Sequence, residues 1–209
     1  MDNQIELMLI EAWKKFCDYY DTRAPRYRSL FLSEYRTVGN DYWICWNESD
    51  LTFHIRRFLY EILNKYEPFS GIEIHSEVKL KSGNFEGCMI LQPLITKLNS
   101  DGEKPKEPKV DIIIARENKD KPFLLCAEAK CFRGTRYERP IPEIDYDINK
   151  LRRIKNCGIA ESFVFILFDD YYWHNENTAN EIRQRLNQIK NEDGITVLFH
   201  TSEAKLRKI

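Results

Sequence analysis

The amino-acid sequence predicts an α/β fold: a mixed central β-sheet with helices on both of its faces. Two observations lead to this prediction. Apolar residues recur at helical spacing in four separate segments, and between these segments lie short apolar or alternating runs typical of strands. The resulting order is helix, helix, strand, strand, strand, helix, strand, helix, strand, which is typical of a single layered domain.

The first two elements are predicted to be amphipathic helices. Apolar residues at helical spacing over residues 5–16 form the first, and an irregular arginine- and tyrosine-rich stretch is expected to follow at about residues 21–40. The second helix is expected to begin in the run Asn47-Glu48-Ser49-Asp50, because these residue types favour helix N-termini. Its buried stripe comprises Leu51, Ile55, Phe58, Leu59 and Ile62.

Three strands are predicted in the middle of the chain. Residues 72–81 alternate between apolar and polar side chains, a pattern that indicates a half-buried strand. Residues 82–98 are ambiguous, and residues 99–109 have the composition of a polar loop. Residues 110–115 and 123–132 are nearly continuous apolar runs joined by a short polar link, so we expect them to form a hairpin.

The last four elements alternate between helix and strand. Apolar residues from Ile144 to Ile154 predict a third helix that ends near Gly158. Residues 163–168 form a fully apolar run, which predicts a buried strand. The spacing of apolar residues from Ile182 to Ile189 predicts a fourth helix, and residues 195–199 a final strand.

Composition bounds the class of protein. The chain has 209 residues, of which 43% are hydrophobic and 31% charged, as in a folded chain with an ordinary core. No apolar run approaches the ~18 residues needed to span a bilayer, and the N-terminus lacks the basic region of a secretory signal. Six cysteines form no CxxC pair, and those in apolar runs are expected to be reduced, buried thiols. We therefore expect a cytoplasmic protein with no membrane partner.

Charge within a predicted buried strand is the most informative feature. Glu128 and Lys130 project from the same side of one strand, about 7 Å apart, because side chains alternate along a strand. Asp111 lies inside the preceding apolar strand. The chain contains five E-x-K spacings, but only Glu128/Lys130 lies in a hydrophobic strand whose hairpin partner carries a second acid. Burying these charges is costly unless they form a structural salt bridge or bind a metal ion.

These residues resemble the motif of the PD-(D/E)xK nuclease superfamily. Asp111 stands in Pro108-Lys109-Val110-Asp111, and Glu128-Ala129-Lys130 follows after a hairpin-sized gap. Glu48 at a helix start precedes them, and a helix and a buried strand follow. One departure is that Pro108 is not adjacent to the acid. The resemblance covers residues 47–170 and implies a restriction-endonuclease-like core.

Under this resemblance, residues 1–209 form one nuclease domain. Residues 1–46 are an N-terminal helical extension, and residues 171–209 are a C-terminal helix and strand. The resemblance implies a DNA endonuclease of restriction, anti-phage defence or repair that hydrolyses phosphodiester bonds with Mg²⁺, or with Mn²⁺ in its place.

The resemblance also implies a role for each residue of the motif. Asp111, Glu128 and the backbone carbonyl of Ala129 would bind the metal, as carboxylate and carbonyl oxygens suit a hard cation. Lys130 would orient or activate the attacking water. Glu48 either contributes to the metal site or is an ordinary acid favoured by the helix dipole.

Net charge is −1, so the overall balance does not indicate nucleic acid, but the stretch from Lys130 to Lys155 holds eight basic residues and four acidic ones. Its basic side chains either contact substrate phosphates beyond the site or form a solvated surface. These candidates are Arg133, Arg136, Arg139, Lys150 and Arg153.

The sequence is also compatible with two other functions. One is a non-catalytic nucleic-acid-binding or assembly module of the same fold, and the other is a nuclease subunit whose specificity lies in a partner. Because double-strand cutting needs two sites, a homodimer is a further assembly to consider.

Overall fold

The computed structural model gives the architecture of most of the chain. It describes residues 4–31, 47–65, 71–80, 109–116, 123–132, 140–170, 172 and 175–201, with the backbone alone over 23–31. The helices are α1 (Gln4–Phe31), α2 (Glu48–Leu63), α3 (Pro140–Asn156) and α4 (Glu176–Glu192). The strands are β1 (Ile72–Lys79), β2 (Lys109–Arg116), β3 (Phe123–Phe132), β4 (Ala160–Asp169) and β5 (Thr196–Thr201). This order of elements confirms the prediction. No helix within these ranges is long and apolar enough to cross a bilayer.

The five strands form one mixed sheet in the order β1-β2-β3-β4-β5. The pairs β1–β2 and β2–β3 are antiparallel, which confirms the predicted hairpin of β2 and β3. The pairs β3–β4 and β4–β5 are parallel, with α3 and α4 as their connections. β3 is therefore central and has a neighbour along both of its edges.

Helices cover both faces of the sheet, as predicted. On one face, Ile112 and Ile114 of β2 pack in a core with the apolar stripes of α1 and α2. On the other face, Ile113 packs in a second core with the stripes of α3 and α4. Alternate residues of one strand thus serve opposite cores, because successive side chains point to opposite faces.

The long helix α1 also reaches the last strand. The Thr196 hydroxyl of β5 donates a hydrogen bond of 2.5 Å to the Glu6 carboxylate, and His200 Nε2 lies 3.2 Å from Asp21 Oδ1. The His200 ring is stacked on Phe168 of β4. Polar contacts at two points therefore hold α1 along the β5 side of the sheet.

Two sequence predictions about element boundaries are wrong. The irregular stretch expected from residue 21 is helical as far as Phe31, although the segment contains Pro25, a residue type with very low helix propensity. Lys109 belongs to β2 and not to a loop, because its backbone pairs with Lys79 and extends the ladder. Residues 32–40, 82–98 and 99–108, about which the sequence also made predictions, lie outside the described residues.

Caps define the ends of the helices that flank the site. Asn47 is the N-cap of α2, as predicted, and its side chain accepts the amide of Asp50 at 2.9 Å. Glu48 is therefore the first residue of that helix. At the end of α3, Gly158 has φ +67° and its N–H donates to the Lys155 carbonyl at 2.9 Å. A glycine takes this left-handed conformation without strain, which explains the end of the helix at the predicted point.

The four cysteines that the structure describes fall into two groups. Cys17, Cys126 and Cys131 are buried free thiols, as expected for cysteines in apolar segments. Burial raises the pKa of the Cys17 and Cys126 thiols, so both stay protonated and unreactive. Cys157 lies outside the apolar runs, half-buried just after α3, and is disulfide-bonded.

Candidate active site

The site lies where β2 and β3 stop pairing. Their ladder runs from Ala115–Phe123 to Ile112–Ala127. Beyond it, the Ala129 N–H donates to Asp111 Oδ2 at 2.8 Å, so a side chain replaces the backbone acceptor. The N–H and C=O of one residue in a strand point to the same side, and the Ala129 carbonyl is therefore directed to the same gap.

The backbone opposite Asp111 is strained. In the register of β1 and β2, Glu77 falls opposite Asp111, between the pairs Ser76–Ile112 and Val78–Val110. Glu77 has φ +55°, a left-handed conformation that costs about 1–3 kcal/mol for a residue other than glycine. Asp111 thus has an irregular backbone on both sides, and such strain concentrates at functional sites.

Glu128 and Lys130 project from the same face of β3, as the sequence predicted, and both meet α3. Lys130 Nζ lies 2.9 Å from Glu48 Oε1 at the start of α2 and 3.0 Å from Asp147 Oδ2 on α3. These two carboxylates explain how a lysine can be buried in the middle of the fold. The Lys130 ammonium group on β3 is therefore held by carboxylates from both α2 and α3.

Lys150 lies inside the site and not beyond it, where the sequence analysis had placed it as a phosphate contact. Its side chain is only 7% exposed. Its Nζ lies 2.5 Å from Glu128 Oε2 and 3.5 Å from Asp147 Oδ1, and it donates to the Lys109 carbonyl at 2.9 Å. The Lys150 side chain points inward because position 150 lies next to the apolar stripe of α3.

Of the other candidate phosphate contacts, the structure describes only Arg153. Arg153 is half-buried near the end of α3. Arg133, Arg136 and Arg139 lie outside the described residues. Their proposed contacts with nucleic acid stay predictions.

Asp147 is a site residue that the sequence analysis missed. It is only 4% exposed and contacts both buried lysines. The signal was present: Asp147 follows Ile144 by three residues and precedes Ile148, so it occupies a position of the apolar stripe of α3. An acid on the buried face of a helix, next to a strand that carries buried charge, would have identified it.

The cluster carries more negative than positive charge. Among the described residues it contains two ammonium groups, on Lys130 and Lys150, and four carboxyl groups, on Glu48, Asp111, Glu128 and Asp147. With all of these groups ionised, two negative charges remain uncompensated within the described part of the chain. Because two of the acids are buried and two are partly buried, this excess favours bound protons or a bound cation.

The pKa values of the carboxyl groups show the same imbalance. Burial raises the pKa of Glu128 well above its ordinary value, and the attraction of Lys150 only partly opposes this. Burial likewise raises the pKa of Asp111, against the hydrogen bond from Ala129, and the pKa of Glu48. The Asp111 and Glu128 carboxyl groups also interact with each other. In the absence of a cation, each of these three acids therefore binds its proton more tightly than an exposed carboxyl group does.

For the two lysines, the neighbouring charges outweigh the effect of burial on the pKa. Burial lowers the pKa of Lys130, but the attraction of Asp147 and Glu48 outweighs burial, and the net pKa is raised. The pKa of Lys150 is raised in the same way by Glu128 and Asp147. Both ammonium groups remain charged at neutral pH.

The donor set fits a magnesium ion. Glu128 Oε1 is fully buried and accepts no hydrogen bond from any described residue. Mg²⁺ is typically bound by one or two carboxylates and keeps the remaining positions for water and substrate phosphate. Asp111, Glu128 and the Ala129 carbonyl are such a set, whereas Glu48 is engaged by Lys130. As the side chains stand, the described ranges contain no group of three Asp, Glu, His or Cys residues that would hold an ion.

Known proteins add no further information about the site. No family model, curated protein or solved structure matches this chain. The functional interpretation therefore depends on the arrangement of Asp111, Glu128, Lys130, Asp147 and Lys150, and on the resemblance of the first three to a nuclease motif.

Proposed function

We propose that this chain is a metal-dependent nuclease that hydrolyses phosphodiester bonds, and that its substrate is DNA, as the resemblance to the PD-(D/E)xK superfamily implies. The observation that carries the proposal is the acid-rich cluster on the central strand. Two buried and two partly buried carboxyl groups with two buried lysines are more charge than a sheet needs for its stability, since buried ion pairs seldom stabilise a fold more than apolar residues of similar volume.

Each residue has a role that follows from its position. Asp111, Glu128 and the Ala129 carbonyl would hold Mg²⁺ or Mn²⁺ in the gap between β2 and β3. When bound there, the ion supplies polarisation of the scissile phosphate and lowers the pKa of a water molecule. The Ala129 amide holds the Asp111 carboxylate in place through its 2.8 Å hydrogen bond.

Lys130 acts as a cation and not as a general base. Glu48 and Asp147 hold its Nζ in position and keep its pKa raised, so it has no free lone pair with which to accept a proton. A fixed positive charge can orient the attacking water and stabilise the negative charge that develops on the phosphate. Glu48 and Asp147 are positioning residues in this scheme.

The test is a plasmid-nicking assay with Mg²⁺, with Mn²⁺ and with chelator. Glu128→Gln keeps the shape of the side chain and removes one charge from an acid-rich cluster, so the fold should persist. We expect nicking to fall at least about a hundredfold, the scale of losing a metal ligand or an electrostatic stabiliser. Asp145→Asn is the matched control, because this acid of α3 pairs with Arg185 away from the cluster.

Two outcomes would contradict the proposal. One is nicking by Glu128→Gln at the wild-type rate in Mg²⁺. The other is nicking by the wild-type protein that persists in chelator, because the carboxylates would then have no metal to bind.

The ion-pair network itself favours a second candidate, a non-catalytic nucleic-acid-binding or assembly module. Both lysines contact carboxylates, as in a structural salt-bridge network. This candidate predicts DNA binding without cleavage and cluster variants that change stability alone.

A nuclease subunit would instead cleave only when its partner is added, and a homodimer would show a second-order dependence of double-strand cutting on protein concentration.

A further inference from the structure

The position of Lys150 relative to the metal ligands differs from that of Lys130. Lys130 lies between Glu48 and Asp147, neither of which is among the ligands proposed above. Lys150 contacts Glu128 itself, at 2.5 Å, and attracts Asp111 electrostatically. Lys130 therefore lies beside the proposed metal ligands, whereas Lys150 contacts one of them, Glu128.

The Lys150 ammonium group is held in place from three directions. Glu128 and Asp147 attract it, and the Lys109 carbonyl at the start of β2 accepts a hydrogen bond from it. The group is nearly inaccessible to solvent. A divalent ion that uses Glu128 Oε2, alone or together with Oε1, must displace this contact, because the ammonium group holds that oxygen at 2.5 Å.

We propose that Lys150 is a built-in competitor of the divalent cation: its ammonium group occupies the Glu128 carboxylate until the ion displaces it. This inference rests on the proposed function and deepens it, since it states how the same site is regulated. Before substrate arrives, the protein binds the ion weakly.

The experiment measures Mn²⁺ binding to metal-free protein by calorimetry, without nucleic acid, and so has a readout independent of cleavage. Lys150→Gln should bind Mn²⁺ at least about tenfold more tightly than the wild type, because the ion no longer breaks a charge-assisted hydrogen bond. Lys155→Gln is the distant control on the same helix, with its Nζ on the Asp193 carbonyl, and should bind like the wild type.

Lys130→Gln is the control for charge alone. It removes the same charge from the same cluster but leaves the Lys150–Glu128 contact in place. The proposal requires a clearly smaller gain for Lys130→Gln than for Lys150→Gln. Equal gains would show simple repulsion between cations and would overturn specific competition, as would a Lys150→Gln variant that binds Mn²⁺ no more tightly than the wild type.

The test holds even where Lys150→Gln does not fold without metal. In that event, folding of the variant on addition of Mn²⁺, followed by circular dichroism, supports the proposal, and failure to fold at any Mn²⁺ concentration overturns it. The two proposals also fail differently. A wild type that cleaves DNA with Mg²⁺ while Lys150→Gln shows no gain contradicts competition alone, whereas absence of metal binding and cleavage in every variant contradicts the nuclease proposal itself.

Discussion

Helix α3 carries two sets of charges, one directed to α4 and its following turn, and one buried against β3. In the outer set, Asp145 pairs with Arg185 at 2.6 Å, and Arg152 holds both carboxylate oxygens of Asp193 at 2.7 Å. Each acid there has one cation. These balanced pairs fasten α3 to α4 at the edge of the second core.

The inner set has the opposite composition. Asp147 and Lys150 belong to a cluster with four carboxyl groups and two ammonium groups, of which Glu128, Lys130, Asp147 and Lys150 are buried and Glu48 and Asp111 are partly buried. An unbalanced buried set destabilises the fold unless something else supplies the missing charge. The comparison shows that the sign balance and burial of charged residues, more than their number, distinguish a candidate site from a structural network.

The comparison is tested most severely by removing one cation from each set. Lys130→Met would leave Glu48 without its cation, and Asp147 with only its 3.5 Å contact to Lys150, in an already negative cluster. We expect the free energy of unfolding to fall by about 3–5 kcal/mol. Arg185→Met removes a partly exposed cation and should cost about 1 kcal/mol or less. Urea unfolding in chelator measures both. Equal losses would show that the two sets are energetically alike.

The inner set should make the free energy of unfolding depend on pH. Because burial raises the pKa of Glu128, the folded chain holds this proton more strongly than the unfolded chain. The resulting stability is complete below the ordinary carboxyl pKa of about 4 and is lost as pH rises through the raised pKa. Without metal, the free energy of unfolding should fall with pH by up to about 1.4 kcal/mol per pH unit for each proton.

Two variants isolate this dependence. Glu128→Gln should have a flatter pH profile than the wild type over pH 5–8. Arg152→Gln should keep the wild-type slope, because its guanidinium has a raised pKa and stays charged throughout. Parallel profiles for the wild type and Glu128→Gln, measured by urea unfolding in chelator, would contradict the assignment of the excess charge to this site.

Asp111→Asn should sharpen the comparison by relieving the excess charge. Asparagine can still accept the Ala129 amide through Oδ1, so the variant should gain about 1 kcal/mol without metal, or roughly 2–4 °C in melting temperature. Mg²⁺ should stabilise the wild type and leave the variant unchanged. Asp145→Asn should instead lose stability. A destabilised Asp111→Asn protein, with no metal response in either protein, would favour the structural salt-bridge interpretation.

The smallest effect is expected in the outer set. Arg152→Gln should lower the free energy of unfolding by about 1 kcal/mol or less, since this pair is partly exposed. The loss should shrink in high salt, which screens exposed charges. Urea midpoints at low and high salt measure this, and plasmid nicking should not change. A nicking defect in this variant would mean that the outer pairs also serve the site.

The sequence predicted the order of elements because each element carries its own periodicity. The stripe of α2 and the alternation of β1 need no information from the rest of the chain. The end of α1 was misplaced for the same reason: arginines and tyrosines after the apolar stripe resemble a loop locally, whereas the helix continues to Phe31. Lys109 was assigned to a loop because its pairing with Lys79 is a long-range contact.

The candidate site was predictable only in part. Asp111, Glu128 and Lys130 interrupt apolar strands, so their burial follows from the sequence. Lys150 was predicted to be either a phosphate contact beyond the site or part of a solvated surface, because its inward direction depends on how α3 packs against β3. The burial of Asp147 could have been predicted from the apolar stripe of its helix. Its role in the site becomes evident only from its contacts with the two lysines. Local patterns therefore predict which residues are buried, and tertiary packing decides which of them meet.

The contacts between α1 and β5 have a consequence for how the chain is made. Glu6 and Thr196 are separated by 190 positions, and Asp21 and His200 by 179. The ribosome synthesises α1 long before β5, the strand that completes its binding surface. Until β5 emerges, part of the apolar face of α1 stays exposed and open to wrong contacts or chaperones, and pairings so distant in sequence slow folding. The helix therefore reaches its final packing only after almost all of the chain between these two elements has been synthesised.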